Sequence, residues 1–220
     1  MKICPISDLH GILPNNIQPC DVVVIAGDIV PLNIQRMALE SSRWFIDVFI
    51  PWALNLPCDK VIFVAGNHDF WLNRWHWKEI QPESEKLIYL EDDAYVYNGL
   101  TFYGTPWITG LPGWAFYTEN EEKYFDNIPE NVDVLITHAP CFGNKTGEVL
   151  QKKVFNTGSD YGSKVLAEYV TNKRNVRYMF SGHIHSGEHQ MKLWNNTYVK
   201  CCSIVDEHYD NVYPIEYIDI

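Results

Sequence analysis

Short unbroken apolar runs recur along the chain, and each ends within a residue or two in a glycine or a polar turn. Asp21-Val22-Val23-Val24-Ile25-Ala26 stops at Gly27-Asp28, and Val61-Ile62-Phe63-Val64-Ala65 stops at Gly66-Asn67-His68-Asp69. Asn131 to Thr137 leads to His138-Ala139-Pro140, Val176 to Ser181 leads to Gly182-His183-Ile184-His185, and the shorter Ile3 to Ser7 leads to Asp8-Leu9-His10-Gly11. Apolar, β-branched runs bounded by turn residues are the pattern of buried strands. Residues just past the carboxyl end of such a strand face solvent, and in open α/β sheets that edge is where ligands bind.

Between these runs the period changes. From Asn33 to about Leu54 the apolar spacing is helical, with Met37, Trp44, Phe45, Val48 and Phe49 on or near one face and Pro51 set to kink or end the helix. After His68 a second helical stretch carries Trp71 and Trp75 at i and i+4, both expected in the core. Leu87 to Leu90 reads as a short strand, Tyr95 to Tyr103 as a hairpin turning at Asn98-Gly99, and Thr105 to Phe116 as a loop rich in Gly, Pro and aromatics around Trp107 and Trp114. Residues 141–159 read as loop, Ser163 to Thr171 as helix, Glu188 to Trp194 and Thr197 to Cys201 as strands paired around Asn195-Asn196, and Tyr213 to Ile218 as a final strand. Strand and helix alternating in this way predicts an α/β layered fold. No repeat or linker divides the chain, so one domain over residues 1–220 is expected.

Composition narrows the class. A 46% hydrophobic and 20% charged content is that of a folded globular protein. The net charge of −11 disfavours a broad footprint on nucleic acid, which needs clustered Lys and Arg, and it disfavours long polyanionic substrates generally. The same acidity suits bound cations. The six cysteines show no CxxC spacing and read as reduced, mostly buried thiols. With no signal-peptide pattern and no apolar run of membrane-spanning length, a cytoplasmic location is expected.

Five strand exits thus carry Asp8 and His10, Asp28, Asn67 and His68, His138, and His183 and His185. Singly, each has a plain explanation as a helix cap, a turn former or a satisfied polar residue. Together they do not, because independent caps have no reason to choose His. Five of the eight histidines sit at these exits, leaving His76, His189 and His208 to structural roles. Mixed N and O donors suit zinc, manganese or iron, and the absence of Cys at the exits argues against a structural zinc. Such a set fits a two-metal centre in which a carboxylate such as Asp28 bridges the cations and a shared hydroxide is the nucleophile of an in-line phosphoryl displacement.

These blocks, Asp8-Leu9-His10, Gly27-Asp28, Gly66-Asn67-His68-Asp69, Thr137-His138 and Gly182-His183-Ile184-His185, resemble in order those of the calcineurin-like metallophosphoesterases. The resemblance implies a four-layer αββα sandwich of two mixed sheets, with a dinuclear centre at the carboxyl ends of the strands. It implies Asp8, His10, Asp28 and His185 around one metal, and Asp28, Asn67, His138 and His183 around the other. His68 is implied to contact the phosphoryl group and help protonate the leaving oxygen, with Asp69 a candidate to orient it.

The Asp-Arg-Gly element typical of phosphoprotein phosphatases does not follow Gly27-Asp28, and the third block ends in Asp69 rather than Glu. Tyr103-Gly104-Thr105-Pro106-Trp107, Gly113-Trp114-Ala115-Phe116 and the carboxyl-terminal stretch look more like the small metallophosphoesterase-domain branch, which is associated with phosphodiester hydrolysis. Cys201-Cys202 departs from that branch. The expectation is hydrolysis of a small phosphate ester, foremost a phosphodiester, with base stacking by Trp107 and Trp114 as one route to nucleotide specificity. A phosphomonoesterase, a non-catalytic metal-binding scaffold, a nuclease and a zinc amidohydrolase are the alternatives.

Overall fold

The computed structural model describes residues 1–149 and 159–220. One sheet has the order β11-β1-β2-β3-β4, in which β1 (Lys2–Ile6), β2 (Cys20–Ala26), β3 (Cys58–Val64) and β4 (Leu87–Tyr89) are parallel and β11 (Ile218–Asp219) is antiparallel at the edge. The other has the order β5-β6-β7-β8-β10-β9. Its parallel centre is β6 (Leu100–Thr105), β7 (Asn131–Thr137), β8 (Asn175–Ser181) and β10 (Thr197–Cys201), closed on its two edges by antiparallel β5 (Asp93–Tyr97) and β9 (Lys192–Trp194).

Alternation along the strands sorts their side chains into three cores. Val22, Val24 and Ala26 of β2 face Val134, Ile136 and Phe180 of the second sheet, so the sheets pack face to face. Val23 and Ile25 point the other way, with Val61 and Phe63, onto Phe45, Phe49, Ala53 and Trp77 of the helices. On the outer face of the second sheet Leu135, Met179 and Val199 pack against Phe125, Leu166 and Tyr169. The layers are therefore helix, sheet, sheet, helix, as expected. Among the described residues no helix is long and apolar enough to cross a membrane.

The long helix differs from its pattern. It begins at Ala38 as α1 (Ala38–Trp44), widens through a π-helical turn (Phe45–Phe49) and continues as α2 (Ile50–Asn55). Pro51 has no N–H to return to the preceding turn, which accounts for the widening just before it. The extra residue shifts the face within that turn, so Phe45 and Phe49 are fully buried while Val48 is exposed, and Met37, which lies before the first helical residue, is exposed as well.

The next helix corrects a second expectation. Asn73 caps α3 (Arg74–Ile80) by accepting a hydrogen bond from the His76 N–H at 2.9 Å, so Trp71 lies before the helix and its spacing to Trp75 is not helical. Trp77 takes the core position, and Trp75, about 200° round the helix from it, is 70% exposed.

The hairpin turns at Asn98 (φ 48°) and Gly99 (φ 79°), the two left-handed residues of a type I′ turn. A short α4 (Glu122–Phe125) follows the Trp107 loop. Ser163 caps α5 (Lys164–Glu168), which runs on through a π-helical turn (Tyr169–Lys173). Of the predicted loop at 141–159, residues 150–158 lie outside the described residues. The final strand is shorter than predicted: only Ile218 and Asp219 pair with β1, whereas Tyr213 stacks on His189 at 3.6 Å and Glu216 accepts from Lys200 at 2.7 Å.

Phe63 packs against Phe49, Trp77 and Tyr89 with no exposed surface. Phe63→Ala is expected to cost about 3–5 kcal/mol of unfolding free energy. Trp75→Ala is expected to change it by less than about 0.5 kcal/mol. Urea denaturation of the two variants measures both.

Candidate metal centre

The residues of the five predicted exits meet at one place, above the carboxyl ends of β1, β2, β3, β7 and β8. The backbone there is bent into a conformation that most side chains avoid. Asp8 (φ 55°), His10 (φ 43°), Asp28 (φ 55°) and His183 (φ 70°) are all left-handed. Such positions cost of order 1–3 kcal/mol each and persist only where the surroundings hold them.

Hydrogen bonds hold them here. The N–H groups of Asp8, His10 and Gly11 donate to the carbonyls of Gly27, Asp28 and Ile29 at 3.0, 2.9 and 3.0 Å. The His68 N–H donates to Asp28 Oδ1 at 2.8 Å, and the His183 N–H donates to both oxygens of Asp8 at 3.1 and 3.2 Å. Gly66 is required by close approach, since a Cβ there would fall inside contact distance of the Asp28 carboxylate.

The ring nitrogens are aimed from behind. His138 Nδ1 donates to the Ala26 carbonyl at 2.8 Å and His185 Nδ1 to the Asp206 carbonyl at 2.9 Å, which leaves each Nε2 pointing inward. His138 Nε2 lies 3.3 Å from Asp28 Oδ2 and 2.9 Å from Asn67 Oδ1. His185 Nε2 lies 3.4 Å from Asp8 Oδ1 and 3.4 Å from His10 Nε2. His10 and His68 direct their Nε2 atoms at Asp28 Oδ2 from 3.9 and 3.8 Å. Three groups of donors can each hold a metal ion: Asp8, His10 and His185; His10, Asp28 and His68; and Asp8, Asp28 and His138. His183 stands just outside them, its ring 5.0 Å from that of His138.

These separations test whether cations fit. Donors bonded at ~2.0–2.2 Å around one metal stand roughly 2.8–3.6 Å apart, from octahedral to tetrahedral geometry. The shortest donor pairs match that spacing, and the donor set is imidazole, carboxylate and amide without thiolate. In addition His10 Nδ1 and His68 Nδ1 are buried without a hydrogen-bond partner among the described residues.

Electrostatics agree. Burial opposes the charge on Asp8 and Asp28, yet the neighbouring imidazoles outweigh it, His185 and His138 for Asp8 and His138, His68 and His10 for Asp28. Both carboxyls are held well below the usual range. Burial likewise opposes protonation of His138 and His185, but Asp28 beside the first and Asp8 beside the second push each up to about 9. Burial takes His10 down to about 4, and burial with the charge of His138 takes His183 down to about 3. Two imidazolium protons thus stand where cations would otherwise neutralise the carboxylates.

The family model for calcineurin-like phosphoesterase matches residues 1–187. The chain belongs to this family. It is a metallophosphoesterase with buried His/Asp clusters of the dinuclear type. It is 28% identical to human metallophosphoesterase domain-containing protein 1, over 98% of this chain and 69% of that protein. It is 34% identical to the UPF0046 protein T07D4.2 of Caenorhabditis elegans, over 52% of this chain and 28% of the nematode protein. The fold is shared with the phosphopantetheinyl hydrolase of Mycobacterium tuberculosis, at 16% identity and a TM-score of 0.55, over 94% of this chain and 90% of that one.

The surroundings of the phosphoesterase centre hold residues whose places differ from those expected. Asp69 does not orient His68: its Oδ1 accepts from the N–H groups of Ile29 and Val30, both at 2.9 Å, and its Oδ2 from that of Gly66 at 2.8 Å. The His68 ring is instead packed by Trp114 at 4.7 Å and His10 at 4.8 Å. Trp114 in turn carries the Arg36 guanidinium at 5.0 Å.

Trp107 is turned away from the centre, stacked on Tyr124 at 3.7 Å with its Nε1–H on Asp92 Oδ2 at 2.7 Å, so the two tryptophans do not form one platform. Tyr209 carries no sequence signal, although its ring lies 4.8 Å from His10 and 5.1 Å from His185. Its neighbour His208, the more obvious chemistry, is exposed.

Loading with manganese or zinc at pH 7.5 is expected to release about two protons, from His138 and His185. Calorimetry in buffers of different ionisation enthalpy reads that number. Metal affinity then rises with pH until about 9. Since both histidines bind protons more tightly folded than unfolded, the chelated protein loses stability as pH rises from 6.5 through about 9.

Proposed function

We propose that this phosphoesterase hydrolyses a small phosphodiester, using two cations of manganese, iron or zinc. The observation that carries the chemistry is the convergence of the imidazoles of His10, His68, His138 and His185 on two buried carboxylates. Asp8, His10, Asp28 and His185 would hold one cation and Asp28, Asn67, His138 and His183 the other. When bound, the cations supply positive charge to the phosphoryl oxygens and acidify the attacking water.

The protein's own part lies around His68. Its ring is buried, which lowers its pKa, and its Nε2 is 3.8 Å from Asp28. An anionic phosphoryl group drawn against the ring raises that pKa again, so His68 holds a proton for the leaving oxygen. Packing by Trp114 and His10 fixes the ring without a carboxylate partner.

Preference for a diester is supported by two apolar walls. One is Trp114 with Phe70, beside His68, and the other is a pocket beside His183. A diester has an organic group for each. Asp69 acts at a distance, by tying the Asp28 and His68 loops together.

Chelated protein given back manganese, zinc or iron should hydrolyse bis-p-nitrophenyl phosphate faster than p-nitrophenyl phosphate. Faster monoester turnover moves the assignment to a phosphomonoesterase, and no turnover with any metal leaves a non-catalytic scaffold. Asp28→Asn is expected to abolish activity, and His68→Ala to lower kcat by about 10²–10⁴-fold.

A further inference from the structure

The pocket beside His183 has a volume of about 370 Å³ and is lined by Leu111, Val149, Tyr161 and Ile184, with Glu207 as its acidic group. Val149 and Ile184 are buried and Leu111 is half-buried, so these walls are held by the fold, while the Tyr161 ring is exposed. His183 is both a lining residue and a neighbour of the carboxylate cluster through its N–H bonds to Asp8. His183 therefore stands between this space and the metal centre. A cavity of about 150 Å³ admits benzene, so this pocket has room for one ring or two.

Its chemistry selects among ester groups. The walls offer apolar carbon and an aromatic ring. Glu207 is held in place, its Oε1 accepting from the Ser186 N–H at 3.1 Å and the Ser186 hydroxyl at 2.7 Å. Its place among the lining residues sets a negative charge at the pocket. Apolar walls do not replace the water that an ionic group gives up on entering, and the half-buried Glu207 carboxylate repels anions in addition.

Resting on the phosphodiester reading above, we infer that this pocket receives one uncharged aromatic or branched-aliphatic ester group of the substrate, and that Glu207 turns away ester groups bearing a second negative charge. The substrate class is a phosphodiester with an apolar, non-ionic arm. Nucleoside polyphosphates and other polyanionic esters do not fit it.

Titration calorimetry of the manganese-loaded protein with methylphosphonate, phenylphosphonate and 4-carboxyphenylphosphonate tests this without turnover. Phenylphosphonate should bind about tenfold tighter than methylphosphonate. The added carboxylate should weaken the phenyl ligand about tenfold. In Leu111→Asp the phenyl advantage should vanish, and the milder Leu111→Thr should reduce it. Glu207→Gln, which keeps an oxygen for Ser186, should restore binding of the carboxyphenyl ligand.

Equal binding of the phenyl and methyl ligands to a protein that hydrolyses phosphate esters overturns the pocket assignment and leaves the phosphoesterase reading standing. So does a phenyl advantage that survives both Leu111 variants and disappears in Trp114→Ala. If no phosphonate binds and no ester is hydrolysed, the phosphoesterase reading fails and the pocket assignment fails with it.

Discussion

Two carboxylates, Asp8 and Asp28, are taken out of water at the carboxyl edge of the first sheet, one fully buried and the other nearly so. Burying an ion costs several kcal/mol unless opposite charge and hydrogen bonds meet it. The five exits supply both. Backbone N–H groups from His68 and His183 bind the oxygens, and imidazoles from β1, β7 and β8 surround them. A site that must neutralise two buried anions is built for cations, and in their absence it draws protons onto His138 and His185.

The same constraint explains why the backbone is bent where the donors are. A left-handed residue at a strand exit reverses the chain sharply and aims the side chain back over the sheet. Asp8, Asp28 and His183 do this, and the bends are locked from one exit to the next. Asp69 shows the logic best. Burial and the charge of Asp28 push its carboxyl up to about 7, against the three N–H groups that favour its ionised form. Its place is to fix the Asp28 and Asn67-His68 loops relative to one another.

Sequence carried the layers and the donor set because both are written locally. A buried strand announces itself over five or six residues, and its exit is the next residue, so Asp8, Asp28, Asn67, His138 and His183 were legible without any knowledge of what they face. Helix phase was not legible around Pro51 and Asn73, since one widened turn or one cap rotates every side chain after it. Val48 and Trp75 changed sides for that reason, whereas Met37 falls outside the helix, just before Ala38. Asp69 adjoins His68 in sequence, yet its carboxylate turns to Ile29, forty residues away, which no local pattern reveals.

Tyr209 illustrates the remaining gap, and its position is a result of how the two sheets are joined. After β10 the chain leaves the second sheet and runs beside β1: the Ser7 N–H donates to the Cys202 carbonyl at 2.8 Å, and the Ile204 N–H returns to the Ser7 carbonyl at 3.1 Å. This crossing delivers the Asp206 carbonyl to His185, Glu207 to Ser186 and the Tyr209 ring to His10. Tyr209 itself is left-handed, at φ 64°, like the donors it covers. One segment therefore joins the sheets, orients a candidate metal ligand and lines the space beside the centre. Movement of one sheet against the other would disturb His185 and the pocket together, so the geometry of the site is inseparable from the packing of the sandwich.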